Sequence, residues 1–325
     1  MIELMETNVL LSCSGRQLPL VKAFSEALNG KGKVIVADVN KYASSKVAAD
    51  IAIESPDITG ENYGEWSIGI CKKYKVSLWI SLLEDELLIL EDYRQLMFEN
   101  GCLLVGAPKE NLKRALDKYS YKTFLGDLGI TVPVTWTLNE LKGKTNIVEG
   151  EYILKKRFGR GSQGIKRVNN VESLLEFAKL NKFSKEWIIQ PIIKGEEFCL
   201  DIINDLDRNY VTSLIRKRYV MGKQETETAE TIIDESINEV SRKISQAVKH
   251  QGSIDVELIK SKNKLYVIDI NVRFGGSYIF SHMSGANIPA ALIAWRNNKT
   301  PDSSWLRHNT GEIWTRYSTL ARYIP

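Results

Sequence analysis

The sequence contains few of the residues that bind soft metals or build disulfide frameworks. Its three histidines, His250, His282 and His308, do not lie at metal-ligand spacing from one another or from a cysteine. The four cysteines are widely separated and form no C-x-x-C pair, which excludes a zinc ribbon and argues against a disulfide framework. We therefore expect the cysteines to be small buried residues, and any bound metal to be a hard cation held by carboxylates.

A large excess of charge is also absent. Lysine and arginine number 44 against 40 acidic residues, and no basic stripe alternates with aromatic residues. This pattern predicts no nucleic-acid or membrane partner. The N-terminal segment lacks a basic region followed by a long apolar run, so a cytoplasmic protein is expected.

Apolar runs alternate with amphipathic segments over residues 1–108. NVLLS, KVIVAD, VSLWIS and CLLVG are typical of buried strands, and helical patterns such as SGRQLPLVKAFSEAL lie between them. This βαβ rhythm predicts a small doubly wound α/β domain with a parallel sheet. Its first turn, SCSGRQ, has a single glycine and lacks the dinucleotide fingerprint, so NAD binding is not expected.

After residue 108 the pattern becomes that of an α+β region. One long helix is predicted from Lys109, over KENLKRALDKYSYKTFLGDLG, with its end at Gly129. Alternating short runs follow. In SINEVSRKISQAVKHQG, Ser236 and Glu239 predict a capping box at the start of a helix that Gly252 ends.

The stretch RFGRGSQGI contains a G-x-G-x-x-G pattern at Gly159, Gly161 and Gly164. A dinucleotide turn would require a helix after it and an acidic residue about 20 positions further on, and neither is present. A strand is predicted on each side instead. A glycine loop in such a hairpin can cover nucleotide phosphates, with Ser162 and Gln163 at its tip. A glycine hairpin without a ligand is the alternative on this motif alone.

The segment SIDVELIKSKNKLYVIDINVR predicts two strands joined by a polar turn. Asp255 and Glu257 share one face of the first strand, and Asp269 and Asn271 share one face of the second. A loop with an odd number of residues would put Glu257 and Asp269 on the same side of the ladder, and an even loop would separate them. In the odd register the oxygens suit Mg²⁺, and Arg273 points the same way, toward a phosphoryl group in transfer. A solvated polar sheet face is the alternative.

In this order the segments resemble the ATP-grasp superfamily, and within it one synthetase unit of the carbamoyl phosphate synthase large subunit. The resemblance covers nearly the whole chain and rests on LDKYSYKTFL, YILKKRFGRGSQGI, WIIQPIIKGEEFCLDII, VELI and IDINVRFGGS. It implies a Rossmann-like pre-ATP-grasp domain at 1–108 and an ATP-grasp domain at 109–325. The latter would clasp the nucleotide between a lid subdomain, about 131–188, and a C-terminal subdomain, about 189–325.

The resemblance also implies how ATP would be bound. It assigns phosphate contacts to Lys118 and Lys155, adenine contacts to the Gln190 carbonyl and the Ile192 N–H, and ribose contacts to Glu197. The loop from Gly159 to Gly164 would close over the phosphates. Pro191 is harmless between the adenine contacts because it has no N–H to offer.

The metal site implied by the resemblance consists of Glu257, Asp269 and Asn271, with Arg273 as the transfer-site arginine. Two departures from the family pattern occur: D-I-N-V-R stands for the usual E-x-N-P-R, and Lys156 stands where a proline is usual. Aspartate is one methylene shorter than glutamate, so bridging two ions from Asp269 needs a closer backbone. The expected cofactors are ATP and one or two Mg²⁺ ions, with Mn²⁺ as a substitute.

ATP-grasp enzymes typically phosphorylate a carboxylate to an acyl phosphate, which an amine or similar nucleophile then attacks. The first hypothesis is therefore an ATP-dependent ligase for a small amino or hydroxy acid, with a carboxylic acid and an amine as its substrates. Bicarbonate activation by a carbamoyl phosphate synthase-like subunit is the second, and it would require pairing of chains because only one synthetase unit is present. A nucleotide-binding regulator without catalysis is the third.

Substrate contacts are expected from the segments SCSGRQ, LLEDE, SLIRKRYV and GGSYIFSHMSGAN. Arg218 is a candidate for holding a carboxylate with two hydrogen bonds, or else a solvated strand arginine. Ser277 and His282 are further candidates, although His282 would serve equally to cap a turn. Homodimers are common among such enzymes, but the sequence locates no interface.

Overall fold

A computed structural model describes residues 6–142, 147–159, 164–181, 184, 186–222 and 225–323. Within these ranges the strands form a five-stranded parallel sheet, followed along the chain by a four-stranded and a six-stranded antiparallel sheet. The expected fold class, α/β followed by α+β, is therefore confirmed. No helix in the described ranges is both long enough and apolar enough to cross a membrane.

The N-terminal sheet is parallel because connecting segments return the chain to the same edge before each new strand. Its strands are β1 (Asn8–Ser12), β2 (Val34–Asp38), β3 (Ile51–Glu54), β4 (Val76–Ser81) and β5 (Leu103–Val105), in the order β3-β2-β1-β4-β5. The helices are α1 (Leu18–Leu28), α2 (Tyr63–Tyr74), α3 (Glu84–Leu90) and α4 (Arg94–Glu99), with short 3₁₀ turns at Ser44–Ala48 and Glu91–Tyr93. Both faces of the central strands are covered, which explains their continuous apolar runs.

The predicted helix from Lys109 to Gly129 is in fact two helices, α5 (Lys109–Leu116) and α6 (Lys118–Asp127). Asp117 between them has an extended backbone, and its carboxylate accepts the Tyr119 N–H at 3.1 Å as an N-cap. Arg157 donates two hydrogen bonds to the same carboxylate, at 2.7 and 2.6 Å. The prediction of one continuous helix was wrong because Asp117 favours the cap over the helix interior.

The four-stranded sheet has a hydrophobic core of its own, and we call it the lid sheet. Its strands are β6 (Trp136–Thr137), β7 (Tyr152–Lys156), β8 (Lys166–Val168) and β9 (Trp187–Pro191), in the order β6-β9-β7-β8, with helices α7 (Leu138–Lys142) and α8 (Val171–Leu180). Leu154 and Leu174 lie at the centre of this core, both fully buried. Since the cluster is separate from the other hydrophobic clusters, the lid sheet is held together without them.

The six-stranded sheet follows in the order β14-β13-β10-β11-β12-β15. Its strands are β10 (Glu196–Asn204), β11 (Tyr210–Met221), β12 (Thr226–Ile232), β13 (Gly252–Ser261), β14 (Lys264–Asn271) and β15 (Ile313–Thr315). Three helices, α9 (Glu235–Val248), α10 (Tyr278–Met283) and α11 (Ile288–Arg296), and a 3₁₀ turn at Ser303–Leu306 complete the chain order. The predicted lid boundary at 188/189 falls inside β9, since the change of sheet occurs between Pro191 and Glu196.

The start of α9 also differs from the prediction. Asp234, not Ser236, is the N-cap, and its carboxylate accepts the Ile237 N–H at 3.2 Å. The Ser236 hydroxyl donates to the same Asp234 carboxylate. The predicted N-cap, Ser236, therefore lies two residues after the observed N-cap. Aspartate and serine are equally good N-cap residues and both occur near the start of this helix, so the sequence pattern did not distinguish them.

The N-terminal sheet and the six-stranded sheet share hydrophobic clusters. One cluster contains Leu10 of β1 and Val256 of β13, and a second contains Leu11 of β1 and Leu214 of β11. These side chains are at most 1% exposed. The two sheets are thus fixed to each other by shared apolar burial.

Candidate active site

The hairpin of β13 and β14 brings the predicted carboxylates together by an unexpected route. Its turn has two residues, 262–263, and such an even turn alone would put Glu257 and Asp269 on opposite faces. A β-bulge leaves Ile268 without a partner in the ladder and shifts the register by one. Glu257 therefore lies directly opposite Asp269, as it would with the odd loop.

A basic side chain holds each of these carboxylates. Lys118, the first residue of α6, donates to both Asp269 oxygens at 2.7 and 2.9 Å. Arg218 of β11 donates to Glu257 at 3.0 Å and to Glu197 at 3.3 Å. The helix break at residue 117 thus has a direct consequence for the site, because it sets the position from which Lys118 reaches β14.

Burial and neighbouring charge shift the pKa values in this cluster. Desolvation acts to raise the pKa of Asp269, but Lys118 and Lys155 more than offset it, and the pKa lies below its usual range. Desolvation raises the pKa of Glu257 despite the opposing charge of Arg218. Desolvation also lowers the pKa of Lys155, whereas for Lys118 the Asp269 charge outweighs desolvation and raises the pKa. Asp269 is therefore held firmly as a carboxylate.

Asp255 orients two further predicted residues. It lies opposite Asn271 in the ladder and accepts a hydrogen bond from the Asn271 amide nitrogen at 3.1 Å. The Arg273 guanidinium lies 3.4 Å from the same Asp255 oxygen. Because the amide nitrogen is used in this bond, the amide oxygen of Asn271 is left for a ligand. The sequence placed Asp255 on the face of Glu257 but assigned it no role, since its partners become visible only in the ladder.

The donor set fits a hard divalent cation. Glu257, Asp269 and the Asn271 oxygen supply oxygen ligands alone, which is the preference of Mg²⁺. In the described ranges no three His, Cys, Asp or Glu side chains form a metal-binding group. A cation here would therefore depend on the Asn271 oxygen and keep positions for phosphate oxygens and water, as Mg²⁺ sites usually do.

Two cavities meet at this cluster. The lid cavity, about 460 Å³, lies between the lid sheet and the six-stranded sheet. The N-terminal cavity, about 350 Å³, is lined by the turn 13–17, the segment 273–277 and the carboxylates of β13 and β14. Arg218, Met221 and Glu257 border both cavities. Ligands in the two cavities would thus meet beside Glu257.

The predicted nucleotide contacts mostly line the lid cavity. Lys155, Gln190, Ile192 and Glu197 all border it. The Ile192 N–H, however, donates to the Glu151 carbonyl at 2.9 Å. The donor predicted to contact adenine is therefore already used, by a backbone hydrogen bond at the end of the β9–β7 ladder.

The glycine pattern lies between two antiparallel strands, β7 and β8, and a hairpin rather than a strand–turn–helix unit is present. Gly161, Ser162 and Gln163 lie outside the described residues. Gly164 has a φ of +73°, a conformation that side chains rarely adopt, and an added Cβ at Gly159 would lie 2.9 Å from the Lys156 Cβ. The described glycines thus allow a tight turn close to the β7 strand.

The three candidate substrate residues lie at different places relative to the two cavities. Arg218 borders both cavities, and Ser277 borders the N-terminal cavity. His282 borders neither cavity, and its Nδ1 lies 3.1 Å from the Tyr278 hydroxyl. The proposed substrate role of His282 therefore has no geometric support, because the residue lines neither cavity and contacts Tyr278 of its own helix.

Two residues near the site lie in segments that were predicted to contact the substrate, but neither was predicted by itself to have a role. Glu84, in the expected LLEDE segment, accepts the Val272 N–H at 2.5 Å, and desolvation raises its pKa against the charge of Arg273. Cys13 is partly exposed and borders the N-terminal cavity, contrary to the expectation of a buried residue. Glu84 reaches the site only through the tertiary contact of α3 with the residue that follows β14, which the sequence spacing does not show.

Sequence comparison identifies the family. Residues 115–277 match the profile described as "ATP-grasp domain", which is half of the chain and includes every candidate site residue except His282. The chain belongs to the ATP-grasp family. Residues 9–105 of this ATP-grasp protein match the profile described as "PylC-like, N-terminal domain".

Curated relatives of the ATP-grasp chain include two carbamoyl phosphate synthase large chains. That of Clostridium beijerinckii (strain ATCC 51743 / NCIMB 8052) is 21% identical over 190 residues, covering 54% of this chain and 18% of that protein. That of Clostridium perfringens (strain SM101 / Type A) is 24% identical over 214 residues, covering 61% of this chain and 20% of that protein. The match thus spans about a fifth of the length of these relatives.

Solved structures share the fold of this ATP-grasp chain at low sequence identity. N5-carboxyaminoimidazole synthetase from Staphylococcus aureus has a TM-score of 0.69 and 18% identity, covering 90% of this chain and 78% of that chain. L-amino acid ligase from Bacillus licheniformis has a TM-score of 0.69 and 19% identity, covering 93% and 77%. Biotin carboxylase from Campylobacter jejuni has a TM-score of 0.71 and 19% identity, covering 95% and 75%.

Proposed function

We propose that this protein is an ATP- and Mg²⁺-dependent ligase that phosphorylates a small carboxylate and joins it to an amine or similar nucleophile. The observation that supports this function is the position of Glu257 and Arg218 between two cavities. A nucleotide in the lid cavity and a carboxylic acid in the N-terminal cavity would meet at the carboxylate cluster. Residues 1–108 and 109–325 would then form the two walls of one active site.

Lys118 and Lys155 would neutralise the triphosphate. Lys155 borders the lid cavity, and the desolvation that lowers its pKa would be compensated by an anionic phosphate. Lys118 pairs with Asp269 and would exchange that partner for a phosphate oxygen as the nucleotide binds. The loop between Gly159 and Gly164 would close over the phosphates from the lid sheet.

Adenine recognition would use a different pair of backbone groups from the pair that the resemblance implied. Ile192 follows the last residue of β9, and its N–H is donated to the Glu151 carbonyl, so this N–H is not available to adenine. Pro191 and Ile193 both border the lid cavity. We assign the adenine contacts to the Pro191 carbonyl and the Ile193 N–H, and the ribose contact to Glu197.

Glu257, Asp269 and the Asn271 oxygen would hold Mg²⁺. A cation held by these residues would supply positive charge against the negative charge that develops during phosphoryl transfer. The chain prepares the site by keeping Asp269 ionised and by directing the Asn271 oxygen through Asp255. A titration of Mg²⁺ and Mn²⁺ would give the number of ions.

Arg273 would stabilise the transferred phosphoryl group from the floor of the N-terminal cavity. In the first step a carboxylate oxygen bonds to the γ-phosphorus as the bond to ADP breaks. In the second, the nucleophile's nitrogen bonds to the carbonyl carbon, phosphate leaves and the nitrogen loses a proton. The balance is one ATP converted to ADP and phosphate for each bond formed.

The test is release of ADP by the purified protein with ATP, Mg²⁺ and a panel of small carboxylates and amines, with the joined product identified by mass spectrometry. Lys118→Met should reduce kcat/KM for ATP by about 100-fold, because a charged phosphate contact is lost. Lys22→Met, the same change at an exposed position of α1, should leave the kinetics unaltered. Failure of every carboxylate, bicarbonate included, to stimulate ADP release would contradict the proposed ligase.

A further inference from the structure

The N-terminal cavity is larger than the smallest carboxylate substrates require. Its volume is about 350 Å³, and it is walled by the turn 13–17 on one side and by 273–277 on the other. A water molecule takes roughly 30 Å³ of liquid volume, so bicarbonate, a few such volumes at most, would leave most of the cavity empty. A substrate with a side chain of several atoms fits the space better.

Three carboxylates on the sheet face that Asp255 also shares have close basic partners. The pairs are Asp201 with Arg216, Glu257 with Arg218, and Asp269 with Lys118, each within 3.0 Å. Asp255 differs from them. Its nearest basic nitrogen, on Arg273, is 3.4 Å away, and its Oδ1 has no hydrogen-bond partner among the residues that the structure describes. Asp255 is therefore the least compensated carboxylate of this sheet face.

Asp255 is nevertheless 7% exposed and borders the cavity. A carboxylate buried to this degree is costly unless cationic donors surround it. The Gly275 backbone packs closely against it, since an added Cβ there would lie 2.7 Å from the Asp201 Oδ1 and 3.2 Å from the Asp255 Oδ1. Only glycine fits at this position, and Asp255 meets the cavity through the small exposed part of its side chain.

Asp255 and Arg273 present opposite charges side by side at the cavity floor, with a long contact between them. We propose that they recognise an α-amino acid, with its ammonium group at Asp255 and its carboxylate at Arg273. In an α-amino acid the nitrogen and a carboxylate oxygen are about 3 Å apart, which matches the spacing of the two side chains. The carboxylate held at Arg273 would be the group that is phosphorylated.

This assignment rests on the proposed function and narrows its substrate to an α-amino acid rather than a hydroxy acid or bicarbonate. The amino acid would replace the long Asp255–Arg273 contact by two shorter charge-assisted hydrogen bonds. A hydroxy acid offers Asp255 a single neutral donor, and a des-amino acid offers none. Loss of a hydrogen bond to a charged group is expected to reduce kcat/KM by about 10- to 100-fold.

The experiment on the unaltered protein compares alanine, serine, lysine and glutamate with their 2-hydroxy and des-amino counterparts and with bicarbonate. ATP and Mg²⁺ are present, hydroxylamine traps the acyl phosphate, and ADP and hydroxamate are measured. Calorimetric titration of the same compounds gives binding independently of turnover. We expect at least one amino acid to exceed its counterparts by about 10-fold or more in both measurements.

Asp255→Asn removes the charge and nearly preserves the shape. Because Asp255 also orients Asn271, absolute rates are expected to fall for every substrate, so the informative quantity is the preference for the amino acid over its des-amino counterpart. We expect that preference to collapse to nearly equal values. Asp207→Asn, the same change on an exposed turn, should leave it intact.

Different outcomes separate this inference from the proposed function. Hydroxamate or ADP formation with des-amino acids or bicarbonate as efficiently as with amino acids would support a ligase and overturn the role of Asp255. A preference for amino acids that survives in Asp255→Asn would overturn it as well. No carboxylate-dependent ADP or hydroxamate from any compound would overturn both proposals.

Discussion

Ile268 occupies the bulge of β14, and its position determines the side of the sheet to which every later residue of the strand belongs. Successive side chains of a strand point to opposite faces of the sheet. One unpaired residue in β14 therefore moves Asp269 to the same face as Glu257. The family pattern has a glutamate where this chain has the shorter Asp269, and the bulged strand carries that carboxylate directly opposite Glu257. The β-bulge in the backbone therefore brings the carboxylate oxygens together, and the sequence motif alone does not predict it.

At this scale the sharpest test of the metal site is Glu257→Gln. The amide is nearly isosteric but neutral and a weaker Mg²⁺ ligand, so we expect kcat to fall by about 100-fold or more and the Mg²⁺ requirement to rise. Steady-state kinetics over a range of Mg²⁺ concentrations, with calorimetric binding of the Mg²⁺–ADP complex, would measure both.

Glu176→Gln is the matched control, because Glu176 is an exposed residue of α8 in the lid sheet unit. The Glu176→Gln variant should have the same kcat and the same Mg²⁺ requirement as the unaltered protein. A Glu257→Gln variant with unchanged Mg²⁺ dependence would remove Glu257 from the metal site, whatever its effect on rate.

Among the elements, the break between α5 and α6 connects the lid sheet to the site. Asp117 caps α6, accepts two hydrogen bonds from Arg157 at the end of β7, and leaves Lys118 facing Asp269. The Lys118 N–H also donates to the Arg157 carbonyl at 3.1 Å. One aspartate thus sets the position of a phosphate-binding candidate relative to the glycine hairpin.

Asp117→Ala should remove the cap and the Arg157 contact together. We expect a loss of about 1–3 kcal/mol in the free energy of unfolding and a 10- to 100-fold decrease, roughly, in kcat/KM for ATP, because Lys118 would be misplaced. Asp117→Asn retains a cap acceptor and should recover most of the stability but only part of the activity. Urea unfolding and ATP kinetics provide the two measurements.

Asp302→Ala is the control for loss of a cap. Its carboxylate accepts the Ser304 N–H at 2.8 Å at an exposed 3₁₀ turn away from both cavities. This variant should bind ATP normally. If Asp117→Ala lost stability while kcat/KM for ATP stayed unchanged, the positioning role of Asp117 would be refuted.

Some features of these elements can be predicted from the sequence and others cannot. The strands follow from apolar periodicity, and the candidate site residues from Lys118 to Arg273 come mainly from the resemblance carried by the ordered motifs; both are local properties of the chain. The bulge at Ile268, the helix break at Asp117 and the use of the Ile192 N–H depend on pairing with a distant strand or side chain. Such long-range contacts decide geometry and are not encoded in the spacing of residues.

For the molecule as a whole, the distribution of cores determines which parts move together. Shared clusters join the N-terminal sheet to the six-stranded sheet, whereas the lid sheet has a separate core. The walls of the N-terminal cavity therefore belong to one packed body, which suits a site that selects a substrate. The lid cavity lies between that body and the lid sheet, which suits closure over a nucleotide.

The packed body also contains a buried histidine that makes its stability depend on pH. His250 is 0% exposed, and its Nε2 donates to the Ile202 carbonyl at 3.0 Å, while desolvation lowers its pKa to about 3. An unfolded chain would bind a proton at this residue below about pH 6.5, whereas the folded chain would not until near pH 3. Stability from His250 is therefore complete above pH 6.5 and is lost as the pH falls from 6.5 toward 3.

We expect acidification from pH 7.5 to 5 to cost about 2 kcal/mol of unfolding free energy through His250 alone. His308, whose pKa desolvation lowers to about 4, acts in the same direction. His250→Gln keeps a donor for the Ile202 carbonyl but takes up no proton, so it should be less stable at neutral pH and lose less on acidification. Urea unfolding at both pH values measures the difference, and an equal loss in the two proteins would show that His250 does not stay neutral in the folded core.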